Sequence, residues 1–178
     1  SYADHGASGT DTLRAVGGAV DIGLRAFSTA TTGIEVIDTT AATGLARIYG
    51  DTTADSLDFR GTTLIGTMVI DGYGGNDSIA GSSRADDIVG GGGADLLAGN
   101  GGADLLNGGS GYDVLLGEGG NDTLIGGHGR DVLFGGFGAD VIYGHYARSV
   151  PSGLDDSDLL IGGASVYEQD GEALCAIQ

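Results

Sequence analysis

The chain has 178 residues, 38 of them Gly, with one Pro, one Cys and no Trp, and it carries a net charge of −18 from 25 acids and 7 Arg with no Lys. That balance excludes nucleic acid and anionic membrane surfaces as partners, since both need basic protein surface. It also excludes collagen, which needs a G-X-Y period rich in Pro. One Cys excludes an internal disulfide, and no apolar run of about 18 residues exists to form a membrane span.

From the start, Ser1–Thr12 lacks a basic start and an apolar stretch and does not read as a signal peptide. The chain reads like a piece of a longer one. Gly6–Arg14 fits a single turn-and-strand unit, and Gly50–Asp58 fits loosely around Asp55 and Leu57. Strand-like runs rich in β-formers lie at Val20–Leu24, Ile34–Ile37, Leu45–Tyr49, Ser56–Phe59 and Thr67–Ile70. Gly33–Asp38 echoes Gly66–Asp71. Residues 1–71 are therefore expected to form irregular β-coils stacked on the segment after them, or else a short β-sandwich.

From Gly72 onward a period of nine takes over. Gly recurs at 72, 81, 90, 99, 108, 117, 126, 135, 144, 153 and 162. Five places after it stands Asp, at 77, 86, 95, 104, 113, 122, 131 and 140, interrupted by Ser149 and resumed at Asp158. Two places after each Asp comes an aliphatic, from Ile79 to Ile142, and again at Leu160. The unit is G-G-x-G-x-D-x-U-x, with U aliphatic. The Gly and Asp places make a tight turn that uses φ > 0, and x-U-x makes a short strand with one side chain inward. Two such units close one coil. The fold class is thus all-β, a parallel β-roll or β-helix solenoid, over residues 72–162, with 163–178 as a cap or tail.

Stacked coils line up the carboxylates. One edge carries Asp77, Asp95, Asp113 and Asp131, and the other carries Asp86, Asp104, Asp122, Asp140 and Asp158. Neighbours about 5 Å apart repel by roughly 3 kcal/mol at an effective dielectric near 20. A core one aliphatic wide cannot offset that, whereas a cation between each pair reverses the sign. Carboxylates with turn carbonyls are hard oxygen donors, which favour Ca²⁺ over Zn²⁺ and over the stricter octahedron of Mg²⁺.

Residues 72–144 resemble the nonapeptide repeats of RTX proteins, the hemolysin-type calcium-binding repeats of Gram-negative exoproteins. The resemblance implies a parallel β-roll with each ion between two turns of one edge. The ligands it implies are carbonyls at places two and four plus Asp of the earlier turn, and carbonyls at places one and three plus Asp of the later turn. On the first edge, Tyr73, Gly75 and Asp77 face Gly90, Gly92 and Asp95. Gly91, Gly93 and Asp95 face Gly108, Ser110 and Asp113, and Gly109, Gly111 and Asp113 face Gly126, His128 and Asp131. On the second, Asn100, Gly102 and Asp104 face Gly117, Gly119 and Asp122, and Glu118, Gly120 and Asp122 face Gly135, Phe137 and Asp140. Two end sites are weaker. Ser82, Arg84 and Asp86 facing Gly99, Gly101 and Asp104 put a positive charge in the turn. Gly136, Gly138 and Asp140 facing Gly153, Asp155 and Asp158 lack a Gly at the fourth place. The count is about five to seven Ca²⁺ ions.

These features imply a non-catalytic calcium-binding module of a secreted protein, extracellular or at the cell surface. It is expected to fold where calcium is millimolar and to support a larger exoprotein, and the resemblance implies export by a type I system. The rivals are an accessory part of a polysaccharide-active epimerase or lyase, and an adhesive module. No residues read as catalytic. His5, His128 and His145 do not cluster in sequence, Cys175 has no matched base, Asp155 and Asp156 sit in an insertion-like turn, and the Thr doublets at 31–32 and 39–40 lack a rung period. Leu96, Ala98, Val114, Leu116, Val132 and Phe134 point outward on one sheet, an apolar face expected to meet a second copy or a neighbouring domain. The opposite sheet, with Asp87, Asn107 and Thr123, is expected to be wetter.

Overall fold

The computed structural model describes residues 12–24, 26–28, 34–145, 159–162 and 165–167. Among these residues there are 18 strands and no helix, hence none long and apolar enough to cross a membrane. The first eight strands are β1 (Thr12–Gly17), β2 (Val20–Gly23), β3 (Ala26–Ser28), β4 (Val36–Ala42), β5 (Ala46–Tyr49), β6 (Ser56–Asp58), β7 (Thr63–Ile65) and β8 (Met68–Asp71). The periodic part adds β9 (Ser78–Ala80), β10 (Asp87–Gly92), β11 (Leu96–Ala98), β12 (Leu105–Gly111), β13 (Val114–Gly119), β14 (Thr123–Gly129), β15 (Val132–Phe137) and β16 (Ala139–Tyr143). β17 (Leu159–Ile161) and β18 (Ser165–Tyr167) complete the set.

The chain winds as a parallel β-roll. One sheet has the order β18-β16-β14-β12-β10-β8-β5-β2, and the other has the order β17-β15-β13-β11-β9-β6-β3. All these pairings are parallel. In the periodic part each strand pairs with the one a full coil, or two repeat units, away: Asp87 pairs with Leu105, Leu105 with Thr123, and Thr123 with Val141. On the facing sheet Ser78 pairs with Leu96, Leu96 with Val114, and Val114 with Val132. Between the sheets lies one aliphatic per strand. Ile70, Ile79, Ile88, Leu97, Leu106, Leu115, Leu124, Leu133 and Ile142 are all fully buried. Several strands run on into the turns, because turn residues also pair from coil to coil, as Gly91 does with Gly109.

Both sheets continue through Gly72 into the first half, where the coils widen. Ala46 pairs with Met68, Val20 with Ala46, and Ala26 with Ser56, each a longer step along the chain than in the roll. The extra residues form a third small sheet, β1-β4-β7. That sheet gives the coils a third side and a broader core, with Ile37, Ile48, Leu57, Leu64 and Met68 buried and Phe27 stacked on Phe59 at 4.8 Å. The echo between Gly33–Asp38 and Gly66–Asp71 has no structural counterpart, since β4 pairs with β7 and β8 belongs to another sheet.

The far end departs from the expected register. The period of nine places Leu160 on the sheet that adjoins the edge of Asp140. Instead β17 pairs with β15, Leu159 opposite Val132, on the sheet that adjoins the edge of Asp131. Three repeat units, not two, separate these paired residues, so one coil takes in an extra nonapeptide. The physical reason is in the sequence: the inward aliphatic place of that unit falls on Pro151, which lacks the ladder N–H. The pairing of Gly136, Gly138 and Asp140 with Gly153, Asp155 and Asp158 does not follow from this register, and the last three lie outside the described residues. So do His5, Thr31, Thr32, Asp156 and Cys175.

Candidate metal centre

The turns owe their shape to alternating left-handed residues. At the second place φ is positive at Tyr73 (75°), Gly91 (105°), Asn100 (70°), Gly109 (103°), Glu118 (69°), Gly127 (106°) and Gly136 (99°). At the fourth place it is positive at Gly75, Gly93, Gly102, Gly111, Gly120, Gly129 and Gly138. This conformation turns the carbonyls of places two and four toward the next coil. A methyl at Gly111 would collide with the Gly93 carbonyl, one at Gly120 with the Gly102 carbonyl, and one at Gly109 with the Gly91 carbonyl. From the other side, first-place carbonyls point back: that of Gly90 lies 2.6 Å from where a Gly72 methyl would sit. Third-place carbonyls accept one bond each from fourth-place amides, Gly92 from Gly75 at 2.7 Å, Ser110 from Gly93 at 2.8 Å, and Phe137 from Gly120 at 2.8 Å. Each gap between turns is thus lined with backbone oxygen from both coils.

The carboxylates stack in the same gaps. Oδ1 of each accepts the backbone N–H of the Asp one coil earlier. The pairs are Asp77 to Asp95 at 2.8 Å, and Asp95 to Asp113, Asp113 to Asp131, Asp86 to Asp104 and Asp104 to Asp122 at 2.9 Å. Asp122 donates to Asp140 at 3.0 Å. The other oxygen, Oδ2, is buried with no hydrogen-bond partner at Asp77, Asp95, Asp104, Asp113, Asp122 and Asp140, and these residues are at most 2 % exposed. A methyl at Gly90 would strike Asp95 Oδ2 and the Gly108 carbonyl together, so that oxygen and the next coil's first carbonyl converge.

Burial pushes several of these carboxyls up, and at Asp77, Asp104 and Asp113 neighbouring carboxylates add to it. Asp113 is raised to about 7, and Asp77 and Asp104 to about 6. Asp86, Asp95 and Asp122 shift the same way, chiefly by burial. A desolvated anion lacking a donor on one oxygen is costly, and a cation in the gap removes that cost. No cluster of three or more His, Cys, Asp or Glu side chains with metal-ligating geometry exists among the described residues. The oxygen supply is instead one carboxylate per turn plus carbonyls, a donor set that fits Ca²⁺ and not Zn²⁺.

Residues 69–83, 80–115 and 116–145 match the RTX calcium-binding nonapeptide repeat, in four copies. Over residues 69–145 the roll is built of RTX repeats. No curated protein sequence matches the chain.

Two turns are built differently. Ser82 and Arg84 stand outside the left-handed set, and the Ser82 amide (2.6 Å) and hydroxyl (3.0 Å) both donate to Asp86 Oδ2. The turn Gly50–Asp55, which the repeat match does not reach, stacks on Gly72–Asp77 as one repeat on the next. Asp55 N–H donates to Asp77 Oδ1 at 2.9 Å, and Gly74 N–H donates to the Asp51 carbonyl at 3.1 Å. Its Asp55 Oδ2 accepts the Asp51 amide at 2.7 Å. The sequence fits the repeat only loosely here because Asp51 and Thr53 replace the Gly signal. Asp51 Oδ1 shapes the turn instead, accepting from the Thr53 amide and hydroxyl at 2.7 and 2.6 Å.

Far apart in sequence, His128 and His145 meet edge-on at 5.2 Å, one coil apart, a contact that their spacing in the sequence did not reveal. His145 Nδ1 lies 2.9 Å from the Gly127 carbonyl. Arg130 covers the Tyr112 ring at 5.1 Å, again one coil apart at the same turn place.

Proposed function

We propose that this RTX roll holds Ca²⁺ in the gaps between successive turns, and that the ions drive its folding outside the cell, where it supports a larger secreted protein. The ligands are carbonyls at places two and four plus Asp of the earlier turn, and carbonyls at places one and three plus Asp of the later turn. Five gaps have this full set: Asp77–Asp95, Asp95–Asp113, Asp113–Asp131, Asp104–Asp122 and Asp122–Asp140. The observation that carries the reading is the row of buried Asp Oδ2 atoms, six of which lack a donor, five of these (Asp77, Asp95, Asp104, Asp113 and Asp122) beside a carbonyl of the next coil. Affinities in the extracellular range, about 10⁻⁴–10⁻³ M, suit an unfolded chain inside the cell and a folded one outside. The test is a calcium titration followed by circular dichroism and elemental analysis of the desalted protein. Cooperative gain of β-signal with about five ions bound supports the reading, and full β-signal in chelator with no bound calcium refutes it.

The outer face of the second sheet supports a contact role. Leu96 is 44 % exposed, and Leu116 and Phe134 line a cavity of about 630 Å³ with Phe137, which is 86 % exposed. We assign this face to a second copy or a neighbouring domain. Leu116→Glu should preserve calcium-driven folding and weaken self-association in sedimentation. A wild-type monomer at all concentrations excludes the second copy.

A further inference from the structure

The two exceptional turns, one on each edge, share one difference from the rest. In Gly50–Asp55 and Gly81–Asp86 the Oδ2 that lacks a donor at six of the other turns accepts the amide of the turn's own second residue, Asp51 at 2.7 Å and Ser82 at 2.6 Å. Of the two carboxylates so capped, Asp55 and Asp86, only Asp55 keeps an oxygen, Oδ1, buried without a donor. A backbone donor stands where the repeat turns leave the charge to a cation. Both turns adjoin the broader core of the first half, in which Phe27 and Phe59 stack and Ile48, Leu57, Ile70 and Ile79 are buried. The acids around them are also answered. Asp58 bonds Arg60 at 2.7 Å, Asp71 accepts the Tyr73 amide at 2.9 Å, and Asp38 bonds Arg14 and Thr40.

We infer that these amide-capped turns give the roll a start that needs no cation, so that calcium fills the array in order, from the Asp77–Asp95 gap toward the C-terminal coils. The inference rests on the calcium reading above and adds to it a direction. An ion between two turns binds well only when both are already in place, and in a stacked array each unit is positioned by its neighbour. At the capped end Asp55 and Asp86 are placed by amides and apolar packing before any ion arrives, and the Asp55 amide in turn positions Asp77 through its Oδ1. In the middle of the roll, both turns of a gap are built from Gly-rich segments whose ordering entropy is high. The gap next to the capped end therefore loses least entropy on binding and fills first.

Hydrogen exchange of the full chain, read by mass spectrometry across a calcium series, tests this. Peptides spanning 56–80 should gain protection at a severalfold lower calcium concentration than peptides spanning 114–142. The double variant S82G with R84G restores the repeat pattern. It should bind one additional ion in elemental analysis and should lose the low-calcium protection at 78–80. Protection that appears everywhere at one midpoint, or first at 114–142, overturns the inference while leaving calcium binding intact. So does an unchanged ion count in the double variant that still folds in calcium. Absence of any calcium effect on exchange instead overturns the calcium reading itself.

Discussion

The two halves of this solenoid solve one problem in opposite ways. In the irregular coils, Asp38 and Asp58 find donors on both oxygens: Asp38 takes the Thr40 hydroxyl and amide and the Arg14 guanidinium, and Asp58 takes Arg60, whereas Asp55, at the junction with the roll, keeps Oδ1 buried without a donor. Asp38 and Asp58 are both held below the usual carboxylate range by those partners. In the periodic roll Asp77, Asp86, Asp95, Asp104, Asp113 and Asp122 are raised, chiefly by burial, and at six positions one oxygen is buried with no donor. The roll also has the thinner core, one aliphatic per strand, whereas the coils add a third sheet and a stacked Phe pair. Regularity and the unmet negative charge of the turns therefore arise from one cause. Repeating Gly in place of side chains brings the coils close enough to stack carbonyls and carboxylates, and it removes the protein groups that would otherwise neutralise them.

The sharpest way to break the comparison is chelation. Without calcium the periodic part should lose its β-structure, while amides around Phe27, Leu57 and Phe59 keep measurable exchange protection. Equal loss in both halves would show that the coils have no stability of their own.

Next in size is a pair of Gly substitutions. Gly111 has φ of 139°, and a methyl there meets the Gly93 carbonyl. Gly111→Ala should cost about 2 kcal/mol or more and disrupt two neighbouring gaps. Gly18, in the coils, has open space around the same methyl. Gly18→Ala should change the melting temperature in calcium very little, and a large loss there would contradict the open surroundings.

A charge deletion separates the two roles of the Asp row. Asp113→Asn removes a desolvated charge, so in chelator it should stabilise whatever structure remains. In calcium it should raise the folding midpoint about tenfold, equivalent to about 1.4 kcal/mol, because Asp113 faces two gaps. Asp86→Asn, in an amide-capped turn, should shift the midpoint less. Equal shifts would argue against the distinction between capped and bare turns.

Much of this was legible in the sequence. The period of nine gave the roll, its two-unit coil, the inward aliphatics and the alignment of the Asp rows, because Gly at left-handed places and Asp at the turn's end leave a mark at fixed spacing. Gly50–Asp55 left only a faint mark, since side-chain bonds from Asp51 to Thr53 do what Gly does elsewhere. β3 and β7 escaped, and β1 was legible only in its first three residues, because their coils differ in length and share no common period. The longer last coil was hidden by an unbroken Gly frame, although Pro151 at the aliphatic place was the available signal.

Acid should separate the halves by sign. Asp113, raised to about 7, and Asp77 and Asp104, raised to about 6, bind more protons folded than unfolded. Their penalty is full above those values and disappears as pH falls toward the ordinary carboxylate range, so chelated protein should gain β-signal from pH 8 to pH 5. Asp38 and Asp58 are lowered, so their contribution is present above the ordinary value and is lost only as pH falls below it. Exchange protection in the coils should therefore hold until below about pH 4. A chelated roll that weakens on mild acidification would contradict the raised carboxyls.

The smallest expected effect is in the coils. Arg14 is well exposed, and its bond to Asp38 at 3.1 Å is one of three that the carboxylate accepts; the Thr40 hydroxyl at 2.6 Å and amide at 2.9 Å remain without it. An exposed ion pair contributes little, because solvent and salt screen it. Arg14→Ala should therefore leave the calcium midpoint unchanged within the error of the titration, with at most a slight loss of protection at β1. The contrast with Asp113→Asn is direct, since both changes remove one charge from a carboxylate-centred contact. One contact lies where protein donors suffice and the other where they do not. A midpoint shift for Arg14→Ala as large as that for Asp113→Asn would mean that the coils' own charge pairs are coupled to ion binding, and that the two halves do not divide their electrostatics as described.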